Sequence, residues 1–457
     1  MRNFDWRGID LADFWQQRRM PILMVSALVF TGAVIGWAIA PSQAELTAEG
    51  QDLFVHEWQP HDPLSGGGDG LGPVFNDRSC VACHFQGGVG GAGTNEHNVS
   101  TFEILPNRHS SEHSSGVIHA SATAEHFLET SDQRRQLTPI IPASTKLVGS
   151  CFEQFTAFDP LVSHSINTPA LFGVGLIDEI SMASLNWFHR KKSLNQMSDE
   201  FQLDFETTPT GRPNRTGFGK IGKFGWKGQF ATLEEFVATA CAVELGLTNS
   251  VRAQDMPGTS KPDPNAKYDM TNRQLQSLVE FCRSLPRPEQ QLPTDTTELA
   301  QVRSGEDTFA TIGCADCHVP DIGGVEGIYT DFMLHRIERP DAPGYREEFE
   351  VPLPNSSIKP DEWQTPPLWG VADSAPYFHD GGSETLEAAI VRHHGQAKHV
   401  TERYRRLSQT DKDNLIRFLN TLRAPTTALP VSHVNNSQTR SAPGSDSGEM
   451  HTNSVDL

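Results

Sequence analysis

The longest apolar run in the chain, Pro21 to Ala40 (PILMVSALVFTGAVIGWAIA), carries no charge and lies just after Arg18 and Arg19. A run of that length can cross a bilayer as a helix, and arginines on one flank set its orientation. The pattern predicts an export signal or a membrane anchor over residues 1–44. Ser42-Gln43-Ala44 offers small residues for cleavage. The run nevertheless exceeds the roughly 7 to 15 residues usual for a secretory signal, which favours a retained anchor.

Beyond residue 45 the apolar positions recur every three to four residues in short stretches stopped by proline. Two such stretches, LVEFCRSLPRP from Leu278 and LIRFLNTLRAP from Leu415, resemble each other and predict closing helices. The likeness extends further. Thr168-Pro-Ala-Leu-Phe-Gly-Val174 matches Thr365-Pro-Pro-Leu-Trp-Gly-Val371. Trp226-Lys-Gly-Gln-Phe-Ala-Thr-Leu-Glu-Glu235 aligns without a gap to His379-Asp-Gly-Gly-Ser-Glu-Thr-Leu-Glu-Ala388, which superposes Gly228 on Gly381. The second half therefore repeats the first. The halves differ in one loop, with 64 positions from Thr168 to Thr232 against 20 from Thr365 to Thr385.

Proline clusters in LPRPEQQLP, Leu285 to Pro293, and after Pro425 the apolar residues become too sparse to fold. The expected organisation is a first domain over 45–290, a linker at 291–297, a second domain over 298–425 and a disordered tail over 426–457. Both domains are expected to be mainly α, with long loops.

Each domain carries one Cys-x-x-Cys-His, as Cys80-Val-Ala-Cys83-His84 and Cys314-Ala-Asp-Cys317-His318. Two thiols one helical turn apart can each add across a haem vinyl group, while the next residue presents an imidazole to the iron. Zinc would require a second ligand pair near each motif, and a thioredoxin-like site a βαβ pattern; neither is evident. The expectation is two covalent c-type haems in two tandem cytochrome c-like domains, with His84 and His318 as proximal ligands. Haem then supplies much of each core. C-type attachment and the apolar leader together place the domains in the periplasm or on the outer face of the membrane, held there by the N-terminal helix or secreted.

The formal charge of -20 excludes nucleic acid as a partner, because phosphate binding needs the opposite sign. An acidic face can steer a basic electron donor, although simple solvation of an exported protein accounts for it too. Of the remaining cysteines, Cys282 falls on the apolar face of a closing helix, and a disulfide between Cys151 and Cys241 is allowed by the compartment.

Several side chains are candidates for the far side of each iron. In the second half His393, His394 and His399 follow TLEAAIV, and His393 is the leading axial ligand. In the first half Glu235 can take a proton from the near oxygen of hydrogen peroxide and return it to the far one. It also completes the capping box Thr232-Leu-Glu-Glu235, whose only role is to bond backbone N–H groups. Trp226 reads equally as an electron relay between the haems or as a packed aromatic. His97 can cap the first iron or sit in a surface loop, and Arg78 can pair with a haem propionate or lie exposed.

The segments GLGPVFNDRSCVACH, KFGWKGQFATLEE, GCADCHVPD and EWQTPPLWGVADSAPYFHDGGSETLEAAIVRHHG resemble the di-haem oxidoreductases, sometimes labelled thiol oxidoreductases. These are similar to bacterial di-haem cytochrome c peroxidases and to methylamine-utilisation di-haem enzymes. The resemblance covers about residues 50 to 425. It implies a peroxidase-like enzyme in which electrons from a small redox protein or another donor enter through the second haem, and hydrogen peroxide or another small oxidant is reduced at the first. Trp226 falls on the tryptophan between the haems and Glu235 on the distal catalytic glutamate. His393 falls where the peroxidases carry a methionine ligand, and imidazole there lowers the potential. Lys227 stands where they carry aspartate. Calcium between the domains is a further, open expectation. The competing functions are a non-catalytic electron-transfer cytochrome and an oxidase of thiols or another organic donor.

Overall fold

The computed structural model describes residues 41–148, 151–200, 211–217, 219–258, 260–342 and 357–431. The chain divides into two compact units, Met1–Glu45 and Leu46–Leu457. Of the first, only residues 41–45 are described. The apolar run Pro21–Ala40 lies outside the described residues, and among those described no helix is long and apolar enough to cross a membrane.

Within Leu46–Leu457 the duplication is visible as the same pair of packed helices, built twice. Gly50 in the helix Gln43–Val55 lies against the Ser277 carbonyl of the helix Asn272–Ser284. Gly305 in the helix Thr296–Ile312 lies in the same way against the Asn414 carbonyl of the helix Gln409–Leu419. Four residues after each glycine, on the same helix face, comes a phenylalanine. Phe54 packs at 5.1 Å from Phe281 and 6.2 Å from the His84 ring. Phe309 packs at 5.5 Å from Phe418 and 6.5 Å from His318. Glycine is required at the crossing because a Cβ would enter the opposing carbonyl. Replacing Gly305 by Ala is therefore expected to cost about 1–3 kcal/mol or more by forcing the helices apart. Urea unfolding of the variant checks this, together with its haem content.

Side-chain caps start these helices. Thr271 and Gln274 form a reciprocal capping box, and Asp295 and Ser408 each accept N–H groups of the first turn. Two apolar cores result. One gathers Phe54, Trp58, Leu185, Leu233 and Phe281, and it also takes Ile328, Phe332 and Trp369 from the second half. The other gathers Val302, Phe309, Tyr404, Leu415 and Phe418.

The expectation of mainly helical domains with long loops needs correction, because the chain is mixed. Residues between the first Cys-x-x-Cys-His and Thr168 form an antiparallel sheet in which Val99–Ile104 pairs with both Ser114–Ile118 and Leu161–Ile166. A hairpin joins Ser144–Val148 to Cys151–Phe155. The start of the expected disordered tail is also held in place: Val89 N–H donates to the Leu429 carbonyl at 2.8 Å, and Val431 packs on the first core. Residues 432–457 lie outside the described residues.

The two halves meet through an exchange of equivalent bonds. Asn167, just before the first Thr-Pro, donates its N–H to the His379 carbonyl at 2.6 Å. Gln364, just before the second, donates to the Trp226 carbonyl at 2.8 Å. Because Trp226 and His379 are themselves equivalent in the repeat, the interface is self-complementary in the manner of a two-fold dimer.

Candidate functional site

Both Cys-x-x-Cys-His motifs are held in one tight turn. In each, the histidine N–H donates to the carbonyl of the first cysteine, His84 to Cys80 and His318 to Cys314, both at 3.0 Å. Gly313, with φ at 99°, ends the Thr296–Ile312 helix and turns the chain directly into the second motif. His84 Nδ1 lies 3.2 Å from the Gly91 carbonyl, and His318 Nδ1 lies 3.1 Å from the Tyr329 carbonyl. A carbonyl can only accept, so Nδ1 carries the hydrogen and Nε2 keeps its lone pair. Burial pushes both imidazoles down to about 4, so both are neutral at physiological pH.

An apolar cavity of about 310 Å³ runs along the interface between the halves, lined by both Thr-Pro segments and by Cys314, Cys317 and His318. His393 also lines it. Its Nδ1 donates to the Ala389 carbonyl at 2.8 Å, and Phe378 braces the ring edge at 5.0 Å. Its Nε2 is thus left for the cavity. His394 and His399 are not among the lining residues; His394 holds the Ile337 carbonyl through its own N–H, and His399 sits near Asp316. In the repeat register, Ala240 occupies the position of His393 in the first half.

The first-half wall of the cavity includes Lys223, Phe224, Trp226 and Phe236. Glu235 is not part of it. Its carboxylate Oε2 accepts the backbone N–H groups of Ala231 at 3.2 Å and Thr232 at 3.3 Å, and the Thr232 hydroxyl accepts the Glu235 N–H. The capping box is therefore formed. Arg78 is exposed. All seven cysteines are free; Cys151 is exposed and Cys241 buried, so these two are not joined.

One group of residues stands beside the second cysteine of each motif, and of their members only His97 is a candidate from sequence, as a cap for the first iron or a loop residue. In the first, His97 Nδ1 lies 3.6 Å from Cys83 Sγ and 3.5 Å from Asp77 Oδ2. In the second, His335 lies 3.9 Å from Cys317 Sγ and 3.0 Å from Asp331 Oδ2. Lys192 binds Asp331 too, at 2.6 Å. Burial opposes ionisation of Asp331, but His335 and Lys192 outweigh it and hold the carboxyl well below the usual range. Burial likewise opposes charge on His335, and Asp331 carries it up to about 10. His335 and Asp331 thus form a buried ion pair, and His335 lines the cavity beside Cys317. Neither group offers the all-oxygen set that calcium takes.

The Lys192–Asp331–His335 group makes a stability prediction. Asp331→Asn leaves two buried cations without their counter-ion and is expected to cost about 3–5 kcal/mol. The folded pKa of His335 lies above its unfolded value near 6.5. Its stabilisation is therefore full below that value and fades as pH rises through about 10. Asp331, depressed when folded, stabilises above its unfolded value near 3.8 and loses that effect as pH falls. Urea titrations of wild type and variant across pH should converge at both extremes.

Between the halves the aromatic rings form a cluster. Trp226 meets His379 edge-on at 6.4 Å, and its Nε1–H donates to the Asn167 carbonyl at 2.8 Å. His379 stacks on Trp363 at 3.4 Å and 12°, and His164 meets Trp363 edge-on at 5.3 Å. Trp363 Nε1 and His379 Nδ1 are buried with no hydrogen-bond partner among the described residues. Such orphaned groups are costly unless a bound molecule completes them. Both residues line the cavity. The neutral imidazoles of His318 and His393, the apolar walls and these unpaired polar atoms fit a large apolar disc that carries acidic groups, which describes haem; Cys80, Cys83 and His84 of the first motif are not among the residues lining this cavity.

The sequence matches the profile of the family described as "Di-haem oxidoreductase, putative peroxidase" over residues 153–422. No curated protein matches it. Among solved structures, a MauG-like protein associated with microbial copper homeostasis is similar, with 15% identity and a TM-score of 0.37, over 88% of this chain and 93% of that one. Hydrazine synthase from Kuenenia stuttgartiensis is similar over 34% of this chain, with 20% identity and a TM-score of 0.25, and the chain spans 57% of that protein's length. With more than half of its length matched to the profile, the chain belongs to the di-haem oxidoreductase family.

Proposed function

We propose that this protein is an exported di-haem c-type peroxidase, in which electrons enter at the second haem and hydrogen peroxide is reduced at the first. The observation that carries the reading is the inequality of the halves. His393 lines the cavity with His318 in one half and would offer an iron there a second imidazole, whereas Ala240 leaves that position without one in the other. Two imidazoles would suit electron transfer, and one would leave room for chemistry.

Cys80 and Cys83 would tether one haem and Cys314 and Cys317 the other, and His84 and His318 would hold the irons. Bound haem iron would supply the one-electron couples. The chain's own residues do the rest. His318 and His393 fix the second site through their carbonyl-bound Nδ1 atoms. Trp226, hydrogen-bonded at Nε1, links the two sites. Glu235 is held by its Oε2 cap bonds, which leaves Oε1 to take the proton of peroxide and deliver it to the departing oxygen. The electrons come from a small redox protein or another donor outside the cytoplasm.

A second reading, an electron carrier or an oxidase of thiols or another organic donor, is favoured by one observation: Glu235 serves as a cap and lies outside the cavity wall. Mixing reduced holoprotein with hydrogen peroxide separates the two. Consumption of two electrons per peroxide at a rate well above that of free haem supports the peroxidase, and inert haems support the carrier.

A further inference from the structure

Lys227 follows Trp226 in the chain, but its side chain runs to the other tryptophan of the cluster. The ammonium donates to the Pro360 carbonyl at 2.9 Å, to the Lys359 carbonyl at 3.2 Å and to Glu103 Oε1 at 3.2 Å. From there it stands 4.5 Å from the centre of the Trp363 ring. Three acceptors use its three N–H groups, so the cation is fixed in place. Lys227 is 8% exposed and Trp363 2%, so water screens little of its field.

Two indoles thus lie within reach of His379, in unlike surroundings. Loss of one electron from Trp226 leaves a radical cation whose Nε1–H is already donated to a carbonyl. Among the described residues no Lys or Arg stacks on its face. Loss of one electron from Trp363 would set a radical cation against a fixed ammonium. Like charges at that separation in a buried site repel strongly.

We infer that Lys227 keeps Trp363 from being oxidised, so that one-electron traffic between the haem sites passes through Trp226 alone. The inference rests on Trp226 being the relay of the proposed function. Each passage moves one electron from the Trp226 indole to the oxidised site, and one electron from the reduced site refills it; no proton need move. Glu103 partly offsets the ammonium, so the Lys227–Glu103 pair sets how strongly Trp363 is excluded.

The test locates oxidised tryptophan by peptide mass spectrometry in the holoprotein, after exposure either to hydrogen peroxide or to azide radicals in the presence of dissolved dioxygen. Azide radicals remove one electron from tryptophan without peroxidase chemistry, and Trp187, 65% exposed, serves as the internal positive control. In wild type, oxygenation at Trp363 is expected to be detectable but well below that at Trp226. Lys227→Gln should raise it at Trp363 at least tenfold, while Glu103→Gln, which removes the carboxylate bonded to the ammonium, should lower it further. Loosened packing would move both variants the same way, so opposite signs exclude a merely structural effect. Equal oxidation of the two indoles in wild type, or no rise at Trp363 in Lys227→Gln with either oxidant, overturns the inference. If peroxide leaves both indoles intact but azide radicals give the expected pattern, the peroxidase reading fails and the role of Lys227 stands.

Discussion

Glu235→Gln is expected to leave the fold intact and to lower peroxide turnover by about 10²–10⁴-fold, the range for loss of a positioned proton carrier. The substitution separates the two duties of the side chain. Glutamine can keep the capping box, because its amide oxygen accepts the Ala231 and Thr232 N–H groups as the carboxylate does. It cannot accept a proton and return it. The change in unfolding free energy should therefore stay within about 0.5 kcal/mol. Glu235→Ala, in contrast, should lose about 1 kcal/mol with the cap as well as the turnover. The checks are steady-state peroxide consumption and urea unfolding on the same preparations. If Glu235→Gln turns over at the wild-type rate, Glu235 is only a cap and the carrier or oxidase reading gains.

His393→Met should raise the reduction potential of the second haem by on the order of 100–300 mV, a fraction of the roughly 0.8 V that axial ligands span. Methionine favours the reduced iron more than imidazole does. The site is buried and apolar, bounded by Phe378 and Ile390, so a thioether is accommodated there. The lost bond from Nδ1 to Ala389 should cost only about 1 kcal/mol. Redox titration followed in the visible bands measures the shift, and the first haem should be little affected. An unchanged potential would show that His393 does not reach the iron.

Much of this site is legible in the sequence, and for local reasons. A Cys-x-x-Cys-His fixes its own turn, because the bond from His84 to Cys80 spans four residues. The capping box at Thr232 is equally local. The repeat showed that Trp226 and His379 are equivalent, and the exchange of bonds at Asn167 and Gln364 makes them neighbours. A further repeat was present in the chain: Gly50-Gln-Asp-Leu-Phe54 and Gly305-Glu-Asp-Thr-Phe309 carry the crossing contact and the ring beside each histidine. Alternating positions in Val99–Ile104 and Leu161–Ile166 also marked strands, inside a segment that otherwise reads as loop.

The remaining features depend on residues distant in sequence. Asp331 and His335 reach Cys317 with different spacing from Asp77 and His97 around Cys83, so no motif announces either group. The stack of Trp363 on His379, with Lys227 and Glu103 above it, draws one residue each from four separate segments. No periodicity in one segment reports on another. Sequence reasoning therefore lost most in two parts of the first half, the segment before Thr168 that supplies the sheet carrying Glu103 and the long loop from Thr168 to Thr232 that carries Lys227.

Electron paramagnetic resonance of the holoprotein, fully oxidised and again after one electron equivalent, tests the inequality of the two sites most directly. The account predicts one low-spin ferric centre with two imidazole ligands, from His318 and His393, and one high-spin centre at His84. Low-spin ferric iron alone in both states would contradict it.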